Sequence, residues 1–276
     1  MNKTVLITGC SSGFGKATAK LFAHRNWNVV ATMRRPDVDP QFAALDNVLV
    51  TQLDVQDRKS IERAVNEGIA RFERIDVLIN NAGFGLSGIF ETTPREKIAE
   101  QFDVNVFGVM DVTRAVLPHF RANGSGVVVN VSSGAGVFTL PMLSLYCASK
   151  FALEGFSEAV SYELSSQNIV VKLVEPGGVL STNFFKRNGI EADHVEVPPS
   201  YAAFVGSTNT TLANLKTQWL AGDGDVAKII YNAATDGTDR LRYVATDEIK
   251  PLIKARRETS EESYIETMRS RFFQPT

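Results

Sequence analysis

The stretch Thr4-Val5-Leu6-Ile7-Thr8-Gly9-Cys10-Ser11-Ser12-Gly13-Phe14-Gly15 decides the fold of this chain. Its first residues are apolar or β-branched and predict a short buried strand; a helical pattern follows the glycines, from Lys16 to Asn26. In such a strand, turn and helix, Gly9 permits the tight turn and Gly13 lets the backbone approach a pyrophosphate. Gly15 allows the helix to pack closely on the strand, so that the helix N-terminus faces the anion. The spacing departs from G-x-G-x-x-G, and a glycine-rich turn after a strand can also be only a turn.

Outward from this stretch, strands and helices alternate with no repeat and no low-complexity linker. Short β-branched runs predict strands near residues 3–8, 28–33, 48–53, 76–80, 126–132, 168–174 and 241–246. The expected fold is α/β: a Rossmann-like, doubly wound, mostly parallel sheet of about seven strands with helices on both faces. Ile61, Val65, Ile69 and Phe72 recur at helical intervals after Asp57, which reads as an N-cap. Thr93-Pro94-Arg95-Glu96 combines a capping box with proline at the first helical position, predicting one long helix to about Phe120. Asn105 falls inside it, a mediocre helix former whose plainest role is a polar residue on a partly buried face.

Bulk properties narrow the function. A chain of 276 residues, 44% of them hydrophobic, can bury a sizeable core, and residues 1–276 are expected to form one domain. The formal charge is −2 with both signs interspersed, so nucleic acid and anionic membrane are not expected partners. Met1-Asn2-Lys3 leads straight into a strand with no apolar run long enough to span a bilayer, which reads as a cytoplasmic protein. Cys10 and Cys147 are too few for a disulfide framework and read as small space-filling residues. His24, His119 and His194 have no metal-ligand spacing, so no metal site is expected.

Chemistry first shows in Tyr146-Cys147-Ala148-Ser149-Lys150, where four-residue spacing stacks a phenol and an ammonium on one helix face. A fixed cation favours the phenolate and lowers a tyrosine pKa from about 10, making a tuned proton donor. Alone, the pair also fits two residues that merely pack and solvate. Two further signals fall at strand ends, where ligands sit in an open parallel sheet: Asn80-Asn81-Ala82-Gly83 and Ser132-Ser133-Gly134. With Asn105 in Val104-Asn105-Val106 and Pro176-Gly177 after the sixth strand, the chain resembles a short-chain dehydrogenase/reductase over about residues 3 to 182. The glycine spacing is that of the shorter single-domain branch, and within it the sequence is most similar to the 17β-hydroxysteroid dehydrogenase and carbonyl reductase group.

The resemblance implies NADP(H)- or NAD(H)-dependent interconversion of a ketone or aldehyde with an alcohol. In that scheme the nicotinamide supplies the hydride, Tyr146 gives its proton to the carbonyl oxygen, and Ser133 hydrogen-bonds the same oxygen. Lys150 lowers the Tyr146 pKa and holds the nicotinamide ribose, while Asn105 accompanies a helix distortion and links Lys150 to solvent through water. Ser132 is the rival serine; the family spacing to tyrosine selects Ser133. The resemblance places Gly9, Ser11, Ser12, Gly13, Phe14 and Gly15 on the phosphates, with Asn81, Ala82 and Gly83 beside the cofactor. It puts Asp54 and Val55 on the adenine, although a carboxylate there can also cap a loop. It assigns Pro176, Gly177, Val179 and either Ser181 or Thr182 to the nicotinamide end. Related enzymes are commonly dimers or tetramers, so a homo-oligomer is expected.

Cofactor choice is argued from the end of the second strand. Met33 stands where an NAD enzyme usually carries Asp or Glu, and Arg34 follows it with a guanidinium suited to a 2′-phosphate, Ser11 adding a hydroxyl. NADP(H) is therefore expected over NAD(H), although Arg34 can also be a solvated strand-end residue and Asp37 can fold back to the ribose. Residues 183–220 form a long irregular connection that reads as a substrate lid, and a C-terminal extension follows residue 250. With Phe138, Leu140, Met142 and Leu143 before Tyr146, and Gly178, Phe184 and Phe185 after the sixth strand, the substrate cleft is expected to be apolar. It is expected to lack an arginine cluster for carboxylates or phosphates. Small-molecule carbonyls or alcohols are the expected partners. The rival readings are an alcohol dehydrogenase running in the oxidative direction and a non-catalytic NADP(H)-sensing regulator.

Overall fold

The computed structural model describes residues 2–36, 42, 44–181, 197–217 and 220–272. In chain order the main elements are β1 (Thr4–Ile7), α1 (Gly13–His24), β2 (Asn28–Met33), β3 (Val48–Gln52), α2 (Arg58–Phe72) and β4 (Val77–Asn80). There follow α3 (Arg95–Phe102), α4 (Gly108–Ala122), β5 (Gly126–Val131), α5 (Ser144–Ser165) and β6 (Ile169–Glu175). The chain continues through α6 (Ala202–Lys216), α7 (Asp223–Thr235), β7 (Arg242–Val244), α8 (Lys250–Glu258) and α9 (Glu261–Phe272).

The seven strands pair in the order β3-β2-β1-β4-β5-β6-β7, all parallel. Because side chains alternate along a strand, each strand feeds both faces. Val5 and Ile7 of β1 join Phe22 of α1 and Ile230 of α7 on one side; Leu6 joins Ile61 of α2 and Val112, Val116 and Phe120 of α4 on the other. Each strand buried on both faces reads as a near-continuous apolar run, as the sequence does. Between the paired strands β1 and β4 the direction of winding changes, since the chain leaves β1 towards β2 on one side and reaches β4 on the other. A cleft opens there beyond the carboxyl ends of the strands, the usual place for a ligand in such a sheet.

The expected strands are all present, and Asp57 caps α2 by accepting from Lys59 N (3.0 Å). The single helix expected from Thr93 to Phe120 is instead two, α3 and α4, joined by a wide π turn over Asp103–Phe107. The turn brings Asn105 inward, where its amide engages Phe84 and Ser149, side-chain bonds that accompany the departure from regular helix. The capping box does not form. Pro94 is itself the N-cap of α3, and Thr93 Oγ1 donates to Ile89 O (3.1 Å).

Part of the connection expected to be irregular is the helix α6. After β7, α8 and α9 pack Leu252, Ile253, Tyr264 and Met268 onto Val137 and Phe138, so the C-terminal extension closes one wall of the cleft. Among the described residues, no helix is long and apolar enough to cross a membrane.

Candidate active site

A cleft of about 1300 Å³ runs along the carboxyl ends of the strands. Its first half is built on the glycine turn. Thr8 Oγ1 accepts from Asn81 N (2.9 Å) and Ala82 N (3.0 Å), and Asn81 Nδ2 donates to Thr8 O (2.9 Å) and Gly9 O (3.2 Å). These bonds join the end of β1 to the end of β4. The Asn81 side chain is engaged by the glycine turn, while Asn81, Ala82 and Gly83 line the cleft.

Gly13 has φ +53, a left-handed conformation that suits glycine, and a Cβ on Gly15 would overlap Gly9 O and Asn81 Nδ2. Ser12 caps α1 without a side-chain hydrogen bond, and the first turn carries no acidic residue. The N-terminus of α1 therefore presents uncapped N–H groups and the positive end of its dipole beside the cleft, the physical requirement for holding a phosphate. Ser11, Ser12, Gly13, Phe14, Arg34, Asp54 and Val55 line this half with Gly9. Asp54 Oδ1 accepts from Gln56 N (3.1 Å), so this carboxylate does also shape its own loop. Asp37 lies outside the described residues.

The other half gathers the chemistry. Ser133, at the end of β5, accepts from Ala135 N (3.1 Å) and donates to Pro176 O (3.4 Å). Its hydroxyl also hydrogen-bonds the Tyr146 hydroxyl. Lys150, one turn further along α5, donates from Nζ to Val131 O (2.9 Å) and lies 5.9 Å from the centre of the Tyr146 ring. Asn105 Oδ1 accepts from Phe84 N (3.0 Å), and Nδ2 donates to Phe84 O (2.7 Å) and Ser149 Oγ (3.1 Å). Ser149 Oγ in turn donates to Tyr146 O (2.8 Å), so Asn105 positions the helical turn that carries the tyrosine. Asn105, Ser133, Tyr146 and Lys150 are all buried.

Burial dominates the electrostatics. It pushes the Tyr146 phenol above the usual tyrosine range, against the hydrogen bond with Ser133, and it pulls Lys150 down to about 8, against the Glu154 carboxylate. In the protein alone desolvation is the largest influence on the phenol, and the Lys150 ammonium donates to Val131 O. Cys10 is pushed up to about 12 by burial and donates to Ile7 O, in keeping with a space-filling thiol. His119 accepts from Ile75 N at Nε2, a structural role.

A charge network behind Lys150 is absent from the sequence reading. Glu154 on α5 is bound by Arg242 of β7 (3.0 Å), which also contacts Glu158 (2.5 Å) and Glu175 (3.6 Å); Arg257 of α8 holds Glu175 (2.5 Å). Glu175 is fully buried immediately before Pro176. The available signal is Glu154 at four residues from Lys150, a spacing that shares one helix face.

On the substrate side, Phe138, Leu140, Met142, Leu143, Gly178 and Val179 line the cleft with Pro176 and Gly177, joined by Leu212 and Leu215 of α6 and by Ile249 and Leu252. Ser181 is not among the lining residues; its Oγ accepts from Asp223 N (3.3 Å) at the start of α7. Thr182, Phe184 and Phe185 lie outside the described residues. The wall is less purely apolar than expected, since Lys97, Lys216, Glu248 and Arg271 also line it, from four separate elements.

The family model for short chain dehydrogenases matches residues 3–192, and the chain belongs to that family of oxidoreductases. It is 37% identical to an uncharacterized oxidoreductase of Schizosaccharomyces pombe over 237 residues, covering 86% of this chain and 98% of that protein. It is 34% identical to retinol dehydrogenase 8 of Bos taurus over 271 residues, 91% of this chain and 84% of that one. A short-chain dehydrogenase from Streptomyces avermitilis superposes with a TM-score of 0.80 at 32% identity, covering 98% of this chain and 94% of that one. ElxO with NADP bound superposes at 0.73 and 27%, covering 89% and 97%.

A buried Lys150 has a measurable consequence. Its pKa is depressed on folding, so between about pH 8 and the ordinary lysine value of about 10.4 the unfolded chain binds more protons, and stability rises with pH there. Lys150→Met is expected to raise the thermal midpoint at about pH 7, with the gain shrinking towards about pH 10. An unchanged or lowered midpoint at the lower pH, in a variant with native circular dichroism, would contradict this.

Proposed function

We propose that this chain is an NADPH-dependent reductase of apolar ketones and aldehydes, acting reversibly through Ser133, Tyr146, Lys150 and Asn105, in the 17β-hydroxysteroid dehydrogenase and carbonyl reductase group. The observation that carries the reading is the Tyr146 hydroxyl set against Ser133, one turn from Lys150, in the same cleft as the open N-terminus of α1. That cradle fits a dinucleotide, with Gly9 to Gly15 on the phosphates and Asp54 and Val55 on the adenine. Pro176, Gly177 and Val179 flank the nicotinamide end. When bound, NADPH supplies the hydride.

The protein supplies the remainder. Tyr146 transfers its proton to the carbonyl oxygen, and a phenol held neutral by burial is loaded as an acid at neutral pH. Ser133 hydrogen-bonds that oxygen and stabilises charge as it develops. Lys150 offers a cation to the phenolate that Tyr146 becomes. The Asn105 side chain is engaged by Phe84 and Ser149, and the residue stands beside the turn of α5 that carries Tyr146, where a water linking Lys150 to solvent completes the relay. Arg34 meets the 2′-phosphate and selects NADP(H) over NAD(H), a choice supported by ElxO holding NADP.

The apolar lining favours aryl ketones, ketoesters or steroid-like ketones over sugar phosphates. We further propose a cytoplasmic homo-oligomer, supported by exposed Phe107, Phe151 and Tyr162 along the π turn and α5. Likeness to retinol dehydrogenase 8 favours a second reading, oxidation of an apolar alcohol at the same site.

Tyr146→Phe keeps the ring packing and removes the hydroxyl. kcat is expected to fall by roughly 10² to 10⁴ with little change in cofactor affinity. Retention of more than about a tenth of wild-type kcat would reject Tyr146 as the proton donor. Arg34→Ala is expected to weaken NADPH binding by about ten- to a hundredfold and NADH binding much less, the worth of a charge-assisted hydrogen bond. Equal loss for both cofactors would show that Arg34 supports the fold instead.

A further inference from the structure

The cleft contains a carboxylate that the proton relay does not use. Glu248, half-buried just beyond β7, lines the same cleft as Ser133 and Tyr146. Its place is fixed from two directions. Thr246 Oγ1 donates to Glu248 Oε1 (2.6 Å) and accepts from Gly177 N (3.0 Å), and a Cβ on Gly177 would overlap Glu248 Oε1. The carboxylate therefore lies against the Pro176-Gly177 backbone, and Pro176 O is the acceptor of the Ser133 hydroxyl (3.4 Å). The next residue, Ile249, approaches from the same side: a Cβ on Gly134 would stand 3.0 Å from Ile249 Cδ1. Glu248 thus belongs to the Ser133 side of the catalytic end.

Lys97, Lys216 and Arg271 line the same cleft, but none of them forms an ion pair with Glu248 among the described residues. Glu154 and Glu175, the other carboxylates of this region, are held by Arg242 and Arg257. Glu248 has no ion pair among the described residues; Thr246 accounts for Oε1, and no donor there reaches Oε2. The wall beside it is apolar, with Ile249 and Leu252 lining the cleft next to it. A carboxylate so placed attracts a hydrogen-bond donor brought by a ligand and repels a ligand anion.

We propose that Glu248 is a specificity determinant that binds a hydroxyl or ammonium donor adjacent to the reacting carbonyl. Preferred substrates are then apolar ketones bearing a neighbouring hydroxyl or amino group, and keto acids are rejected. The proposal rests on the carbonyl-reductase reading above, and it also explains how a largely apolar cleft orients a ketone. Apolar walls bury a chain without fixing its direction; one charge-assisted hydrogen bond does fix it.

The test is isothermal titration of the NADP-loaded protein with an aryl alkyl ketone, its α-hydroxy and α-amino analogues, and the matching α-keto acid. Wild type is expected to bind the donor-bearing ketones about tenfold or more tighter than the plain ketone, and the keto acid weakest, the worth of one charge-assisted bond. Glu248→Gln is expected to compress the donor preference towards unity and to improve keto-acid binding. Loss of the amino analogue's advantage at high salt separates ammonium from hydroxyl recognition. Equal wild-type affinities, or a preference that survives in Glu248→Gln, would overturn the proposal. Should that variant fail to fold, Glu248→Asp, which shortens the reach, is expected to reduce the preference several-fold, and an unchanged preference would overturn the proposal equally. Turnover read in parallel separates the two ideas: donor preference without turnover rejects carbonyl reduction, and turnover without donor preference rejects the Glu248 subsite.

Discussion

At the carboxyl ends of the paired strands β1 and β4, where the direction of winding changes, the backbone ladder ends with Thr8 N donating to Ile79 O (3.0 Å). Beyond it Thr8 and Asn81 provide the partners: one hydroxyl accepts two N–H groups from the end of β4, and one amide returns two bonds to the glycine turn. Each such group left unpaired in the interior would cost about 1–3 kcal/mol. The tie holds the turn open, which sets the N-terminus of α1 beside the cleft and aligns Asn81, Ala82 and Gly83 along it. Phe84 follows directly, and its backbone holds Asn105 at both N and O. Asn105 holds Ser149, and Ser149 holds the carbonyl of Tyr146. Hydrogen bonds and the short backbone stretch from Ala82 to Phe84 therefore connect the glycine turn to Tyr146.

Burial gives this site its chemistry at a cost in stability. Lys150 and Tyr146 are both taken out of water, which lowers the lysine and raises the phenol, so each is held towards its neutral form. The desolvated cation is compensated only in part by Val131 O and by Glu154, which is itself held by Arg242. Breaking a buried pair leaves an uncompensated charge, so Arg242 fastens β7 to the back of α5 and Arg257 fastens α8 to the end of β6. That attachment explains why the C-terminal segment, which contributes no relay residue, forms a wall of the cleft.

Much of this is legible in the sequence because it is local. A strand running into glycines, a tyrosine four residues before a lysine, and Pro176-Gly177 after β6 each show their chemistry within a few positions, and β-branched runs locate all seven strands. What stays hidden depends on distant partners. Asn105 reads as an awkward residue in a continuous helix; only Phe84, brought over from the end of β4, explains the π turn. Nothing local to Asn81 reveals that Thr8 and Gly9 engage its amide. Glu154, Glu175 and Glu248 look like ordinary acidic residues until β7 and α8 fold back. Spacing shows the Lys150 cation beside Tyr146 and not the desolvation that raises the phenol.

The central claim is that hydride delivery and the Tyr146 proton meet at one carbonyl in this cleft. It is tested most directly by incubating the protein with an aryl ketone and NADPH deuterated at the transferred position of the nicotinamide, then examining the alcohol by mass spectrometry. The account predicts one deuterium on the carbinol carbon, in a single stereochemical sense, with a slower rate than unlabelled cofactor gives. Alcohol formed without deuterium, or labelled cofactor that stays bound and unconsumed across apolar ketones and aldehydes, would contradict it.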